Sequence, residues 1–390
     1  MNVLILEDTL AKYNDIEETL KADISDCNIK HCEYFSQFVM EASKKKYDLV
    51  VADLLVPLQK NSSDVQDVTE EIMNTIRDTE SPNFATPVIA ITGYSAIAEE
   101  NYEKFNRLDI NIVHYDPDSK YWAEAFILKA KNSIPPKTYE FVIFCALEKE
   151  AKAFNTLNYN IGPLHSTQGI NCREIDIDDK KGIIIVPPRM GLINAAITCS
   201  RAIDIFTPNL ICMSGICAGI EGKVNIYDVV ISSMCHQHDS GKWTSEGFIP
   251  ELYTVPLLHQ TQVDINLLIQ KHSFKNDIKN DIKLTKEECP TDSSELNFDI
   301  LLATTSSGSS VIADNVALEG VKDQHRKLTS FEMESYALYE AARQSSIKNI
   351  NYFSAKSVVD NGDKLKGDEY HRVACILSAK TVCELIAQGI

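Results

Sequence analysis

The 390-residue chain has no apolar run of about 18 residues, the length a helix needs to cross a bilayer. Nor does it open on a basic–apolar stretch of the secretory kind. The expectation is therefore a chain with no membrane span and no signal segment. Its 11 cysteines show no paired spacing, and several stand inside apolar runs such as Ile211-Cys212-Met213 and Ile216-Cys217-Ala218. That distribution suits small, reduced core residues in a cytoplasm better than a disulfide framework. Positive charge is scarce: 38 Lys and Arg stand against 56 Asp and Glu, a formal net charge of −18. Residues 1–130 hold 12 basic and 24 acidic residues, a balance of −12, which leaves −6 for the remainder. Nonspecific nucleic-acid binding needs a cationic footprint and is excluded on this ground. Internal repeats and extended low-complexity segments are absent as well.

What the chain has is enough apolar residues, 44%, for sizeable cores in two or three domains. In the first third, short apolar runs alternate with helical patterns. Strands are expected at Val3–Leu6, Tyr47–Ala52, Pro87–Ile91 and Ile110–His114, with a weaker one near Asn28–Cys32. A helix follows the first strand through about Leu20, and another runs from about Trp122 to Lys131. This βα alternation predicts a five-stranded parallel sheet covered on both faces. Pro135-Pro136 then ends the helix and stiffens a connector. The expected division is a domain over 1–131, a linker over 132–138 and a second α/β domain over 139–390. The second domain restarts at Phe141–Cys145. Further strands are expected at Gly182–Val186, Leu210–Ser214, Val229–Ser232, Ile300–Ala303 and Tyr352–Lys356. The polar stretch 271–296 reads as an exposed insertion. Lys44-Lys45-Lys46 reads as a solvated helix end.

Parallel sheets place their sites at the carboxyl ends of strands. In the first domain Glu7, Asp8 and Asp53 meet that rule, and Thr92 ends the next strand. Converging carboxylates either bind a hard cation such as Mg²⁺ or are ordinary polar caps. In the second domain, Phe331–Ala342 reads as a helix. At 100° per residue Glu334 falls on its apolar side with Ala337, Leu338 and Ala341, and Glu332 falls on its polar side. A core carboxylate costs about 3 kcal/mol or more unless something pairs with it, and no Lys or Arg stands one turn away on that face. Glu334 therefore either awaits a ligand with hydroxyl donors or is satisfied by backbone groups. Cys235-His236-Gln237-His238 has no partner cluster with metal-site spacing, so a metal reading is not adopted.

Four segments of the second domain carry the remaining signal. Ala146-Leu147-Glu148-Lys149-Glu150-Ala151 follows a strand directly. Pro187 to Ala196 contains Arg189-Met190-Gly191 at a strand-to-helix turn. Ser214-Gly215-Ile216-Cys217-Ala218-Gly219 lets a ligand approach the backbone. The Glu334 segment pairs with Ser354-Ala355-Lys356-Ser357-Val358-Val359-Asp360-Asn361-Gly362-Asp363. On residue chemistry alone, Asp360 is also readable as a turn acid and Glu150 as a helix N-terminal acid.

In this order the segments resemble the nucleoside phosphorylase/nucleosidase superfamily over 139–390, which implies an α/β domain with a central mixed sheet. The resemblance implies that Glu334 holds the ribose hydroxyls and Met333 packs on the sugar. Val311, Ile312, Cys217 and Ala218 would line the base pocket. Asp360 would stabilise the proton reaching the purine, and Glu150 would activate water. The chemistry is coherent, because an oxocarbenium-like sugar needs its leaving base neutralised and its water deprotonated. Two positions depart from the pattern: Val359 stands where Ser or Cys is common, and Tyr227 where Gly is usual. No phosphorylase-type phosphate site is evident, which favours hydrolysis.

Leu4-Ile5-Leu6-Glu7-Asp8, Tyr47 to Pro57 and Ile91-Thr92-Gly93-Tyr94-Ser95 resemble a response-regulator receiver of flavodoxin-like fold. That implies Mg²⁺ at Glu7, Asp8 and Asp53, with Asp53 as phosphoacceptor for a histidine kinase. The usual Lys-Pro after the fifth strand is replaced by Asp116-Pro117, with Lys120 displaced. The two-domain layout resembles effectors of defensive two-component systems against phage, of the Detocs type. This implies phosphorylation-gated hydrolysis of ATP to adenine and ribose 5′-triphosphate, in a cytoplasmic homo-oligomer needing no cofactor for the cleavage itself. Arg189, His236, His238 and Lys242 are the expected phosphate contacts. The alternatives are a salvage purine nucleoside phosphorylase or methylthioadenosine-type nucleosidase, and a non-catalytic nucleoside-binding signalling module.

Overall fold

The computed structural model describes the chain except residues 25, 63, 94–101, 106, 136, 281, 291–294 and 363–367. Tyr94, Ser95, Pro136 and Asp363 of the segments above lie outside the described residues. The chain divides into two compact units, Met1–Pro136 and Lys137–Ile390.

In the first unit every strand of the main sheet is parallel, in the order Asn28–Cys32, Asn2–Leu6, Leu49–Ala52, Val88–Thr92, Ile110–His114. Numbered along the chain this is 2-1-3-4-5, the flavodoxin-like order of a doubly wound sheet. Alternation within single strands feeds two cores. Leu4 and Leu6 pack with Phe38, Val50 and Ile72 on one face. Val3 and Ile5 pack with Ile16, Leu20, Trp122 and Phe126 on the other. Because both faces are covered, the strands read as unbroken apolar runs. The weak strand Asn28–Cys32 is one of the two edge strands, which explains its polar content. A hairpin of Leu55–Pro57 and Val65–Asp67 leaves the sheet just after Asp53 and has no counterpart in the sequence expectation.

The second unit is built on an 11-stranded mixed sheet. Asn351–Asp360 pairs with both Leu210–Gly219 and Val229–Gln237. Together with Leu328–Glu332 and Ile300–Ser307 these strands form a closed circuit of pairing, in which the last residues of Leu210–Gly219 meet those of both Leu328–Glu332 and Asn351–Asp360. Helices Leu192–Phe206, Ser335–Arg343 and His371–Ala387 pack on this framework. His371–Ala387 is buried almost all round, and Ser378 within it bonds Ser214 Oγ at 2.8 Å.

Two expectations are corrected here. Phe331 and Glu332 end a strand, Leu328–Glu332, and the helix begins only at Ser335. Pairing with Ser306, Ser307 and Ala218 overrides the helical periodicity of those first residues. The stretch 271–296 is not simply exposed. Helix His272–Lys279 buries Phe274 and Ile278, and buried Glu288 binds Arg372. Tyr227, at the position where glycine is usual, has φ 76, the left-handed conformation that favours glycine. Its ring packs edge-on against Tyr370 at 5.8 Å, and its hydroxyl donates to the Glu288 carbonyl at 2.6 Å.

Candidate active site

A cavity of about 420 Å³ opens at the ends of strands Leu210–Gly219, Leu328–Glu332 and Asn351–Asp360. Its lining brings together Glu150, Cys217, Ala218, Val311, Ile312, Met333, Glu334 and Asp360. They arrive from five separate segments of the chain, so the fold rather than local sequence makes the site.

Glu150 lies in the short helix Glu148–Ala153, directly after strand Phe141–Cys145. Its Oε2 accepts the Leu147 N–H at 3.0 Å and its Oε1 accepts the Ile216 N–H at 3.1 Å. The carboxylate fits only because residue 215 is glycine: a Cβ there would stand 2.5 Å from Oε1. Burial pushes the Glu150 carboxyl up to about 7. Lys356 pulls the other way, and Glu334 adds repulsion. A carboxyl so placed exchanges a proton near neutrality, as a general base requires.

Glu334 is the residue just before helix Ser335–Arg343, not a position on its apolar face. Nor is it unpaired. Its Oε1 accepts the Gly191 N–H at 2.8 Å, and its Oε2 lies 2.9 Å from Lys356 Nζ. Gly191 has φ 104, a conformation open to glycine that turns its N–H toward the acid. Glu332, expected on a polar face, is buried instead. It lies 2.7 Å from Lys356 Nζ and accepts the Glu334 and Ser335 N–H groups and the Ser307 hydroxyl. Burial alone would raise the Glu332 carboxyl, but Lys356 holds it below the usual carboxylate range. Burial likewise works against the Lys356 charge, and Glu332, Glu334 and Glu150 together keep its proton affinity high.

Lys356 and Glu332 are thus site residues that the sequence reading did not assign. A signal was present: Lys356 is a lone cation in the apolar run Tyr352–Val359, and a buried lysine requires an acid. Asp360 ends the same strand, and its Oδ1 accepts the Gly362 N–H at 2.7 Å. A register shift between Cys217 and Ala218 sets Ala218 opposite Asp360. Cys217, Ala218 and Ile312 are buried, whereas Val311 is exposed at the rim.

None of the residues expected at the phosphates lines this cavity. Arg189 and Lys242 are exposed, and neither lines the cavity, although Met190 does. His236 is fully buried, with no hydrogen-bond partner for either ring nitrogen among the described residues. Burial, with His325 adding to it, lowers the His236 imidazole to about 4, which makes it a neutral core group. His238 bonds Ser306 Oγ at 2.7 Å.

In the first unit, strand pairing of Leu6 with Ala52 sets Glu7 beside Asp53. One oxygen from each of Glu7, Asp8 and Asp53 lies within 4.8 Å of the others, a donor set that fits a hard cation. The sequence reading did not identify Lys12, which reaches into this group. Its Nζ lies 2.6 Å from Asp53 Oδ2 and 2.7 Å from Glu7 Oε2. Asp53 Oδ1 accepts the Leu54 N–H at 2.6 Å. Burial raises the Glu7 carboxyl to about 7 against the pull of Lys12, with Asp53 adding repulsion. Lys120 is exposed at the start of helix Tyr121–Asn132. Thr92 is buried at the end of its strand.

The chain is similar to several known proteins. The uncharacterized protein y4jS of Sinorhizobium fredii is 22% identical over 97% of this chain and 97% of its own length, spanning both units. ATP nucleosidase Cap17 of Escherichia coli is 24% identical over 53% of this chain, and the match spans 42% of Cap17. The 5′-methylthioadenosine/S-adenosylhomocysteine nucleosidase of Bacillus velezensis is 25% identical, covering 52% of this chain and 80% of that protein. Among solved structures, the corresponding nucleosidase of Colwellia psychrerythraea in complex with adenine shares the fold, with a TM-score of 0.50 and 16% identity over 65% of this chain and 96% of its own. The relatives with named activities are nucleosidases, which act on N-glycosidic bonds. Among the described residues no helix is long and apolar enough to cross a membrane. The model of the phosphorylase superfamily matches residues 140–388, well over half of the chain, and the chain belongs to that superfamily.

Proposed function

We propose that the second unit hydrolyses the N-glycosidic bond of adenine nucleotides, with ATP giving adenine and ribose 5′-triphosphate. The observation that carries this reading is the convergence of Glu150, Glu334 and Asp360 on one cavity, with Glu150 raised to about 7. Glu150 takes the proton of the attacking water. Glu334, held by Gly191 and Lys356, receives the ribose hydroxyls and sets negative charge beside the developing cation. Asp360 stabilises the proton on the departing base. Similarity to ATP nucleosidase Cap17 supports an adenine nucleotide as substrate.

The first unit is a receiver in this reading. Asp53 accepts a phosphoryl group from a histidine kinase, Glu7, Asp8 and Asp53 hold Mg²⁺, and phosphorylation gates the second unit within a two-component anti-phage system. The strand order and the acid cluster support it. Bound Mg²⁺ would neutralise the acids and the phosphoryl oxygens. Exposed Met190, Ile193 and Ile197 beside the cavity support pairing with a second copy of the chain.

The test is incubation with ATP, AMP, adenosine and methylthioadenosine, with and without inorganic phosphate and acetyl phosphate, followed by chromatography for free base. Adenine from ATP without inorganic phosphate is the expected result. Release from methylthioadenosine alone would replace the reading with a salvage nucleosidase. No release under any condition would leave a nucleoside-binding module.

A further inference from the structure

The cavity that holds Glu150 and Asp360 shares part of its wall with a neighbouring cavity. Lys149, Asp368 and His371 line it, and the same three residues line a second cavity of about 460 Å³ together with Lys152 and Arg372. Lys149 and Lys152 are three residues apart on one helical turn, so they stand on the same side of it. His371 opens the 17-residue helix His371–Ala387, whose preceding residue, Tyr370, makes no side-chain cap. The His371 N–H donates to the Asp368 carbonyl, and the helix dipole adds positive potential at the shared edge.

The charges at this edge are not balanced from within. The Arg372 guanidinium is committed to Glu288, at 2.5 and 2.8 Å. Among the described residues, neither Lys149 nor Lys152 has a carboxylate partner, in a chain whose formal net charge is −18. Lys149 Nζ is instead 2.5 Å from His371 Nδ1, and Asp368, which meets that same nitrogen at 2.8 Å, has a side chain 92% exposed. Lysines with no direct ion pair, facing one exposed carboxylate at the mouth of an otherwise acid-lined pocket, match an anionic arm on the ligand.

We propose that Lys149, Lys152 and the His371 edge form the phosphate-binding part of the site. A nucleoside polyphosphate places its base and sugar in the first cavity and its 5′-phosphates across Lys149 into the second. This rests on the adenine-nucleotide reading above and relocates the phosphate contacts. Arg189, His236, His238 and Lys242 line neither cavity.

Two measurements on the full chain test it. Calorimetric titration with tripolyphosphate, which carries no base and no scissile bond, reads the anion site alone. Lys149→Ala and Lys152→Ala should each weaken binding about tenfold and the double variant about a hundredfold, with Lys152→Arg restoring most of the loss. In parallel, the ratio of kcat/KM for ATP to that for adenosine should fall about tenfold with each alanine variant. Equal tripolyphosphate affinity in wild type and double variant would overturn the proposal whether or not ATP is cleaved. Lysine-dependent tripolyphosphate binding without adenine release from any nucleotide would sustain the anion site and reject the cleavage reading. Adenosine cleavage stimulated by inorganic phosphate, with only that stimulation lost in the variants, would assign the cations to a co-substrate and overturn the 5′-arm proposal.

Discussion

Glu150 and Lys356 set the behaviour of the site at the scale of single residues. In the proposed hydrolysis Glu150 serves as base only in its ionised form, and burial places its carboxyl at about 7. As pH falls through 7 the carboxylate gains a proton, so kcat/KM should drop about tenfold per pH unit below that point. Glu150→Gln should lower kcat by about 10²–10⁴ and remove that acid limb, which a pH–rate profile reads directly. Lys356 is the only cation holding Glu332 and Glu334 among the described residues. Lys356→Ala leaves two buried acids without their countercharge and should cost about 3–5 kcal/mol. Urea unfolding should show it as a lower midpoint at unchanged slope.

Elements explain why parts of the site were legible in sequence and parts were not. Strands buried on both faces, such as Phe141–Cys145, declare themselves as apolar runs, and strand ends then announce Glu7, Asp53 and Glu150. Ile170–Ile177 was not foreseen, because Cys172, Arg173, Glu174 and Asp176 mask its alternation. The Glu332 and Lys356 partnership was hidden for another reason. It joins two strands through space, and the residues around Glu332 carry a helical period that tertiary pairing overrides. Strand Leu210–Gly219 also sets a steric condition on catalysis. Gly215→Ala drives a Cβ to 2.5 Å from Glu150 Oε1, so the carboxylate or the strand must shift. Overpacking of this kind should cost about 1–3 kcal/mol in stability, read by urea unfolding. It should also reduce kcat by about 10²-fold, since small misplacements of a catalytic group are costly.

At the scale of the whole molecule, each unit carries its own acid-lined site, and each is compensated by a buried lysine. In the first unit Lys12 Nζ pairs with both Glu7 and Asp53, two of the three acids that would hold Mg²⁺. Lys12→Ala should therefore tighten Mg²⁺ binding at least about tenfold, measured by titration calorimetry. Asp53→Ala should abolish any response to a phosphodonor while leaving the cavity of the second unit intact. The most direct measurement is chromatography of free adenine after incubating the purified chain with ATP, Mg²⁺ and acetyl phosphate, beside an Asp360→Asn variant. Equal amounts of adenine and ribose 5′-triphosphate, without inorganic phosphate and falling about 10²–10⁴-fold in the variant, are the predicted result. No adenine from ATP, or undiminished release by Asp360→Asn, would contradict it.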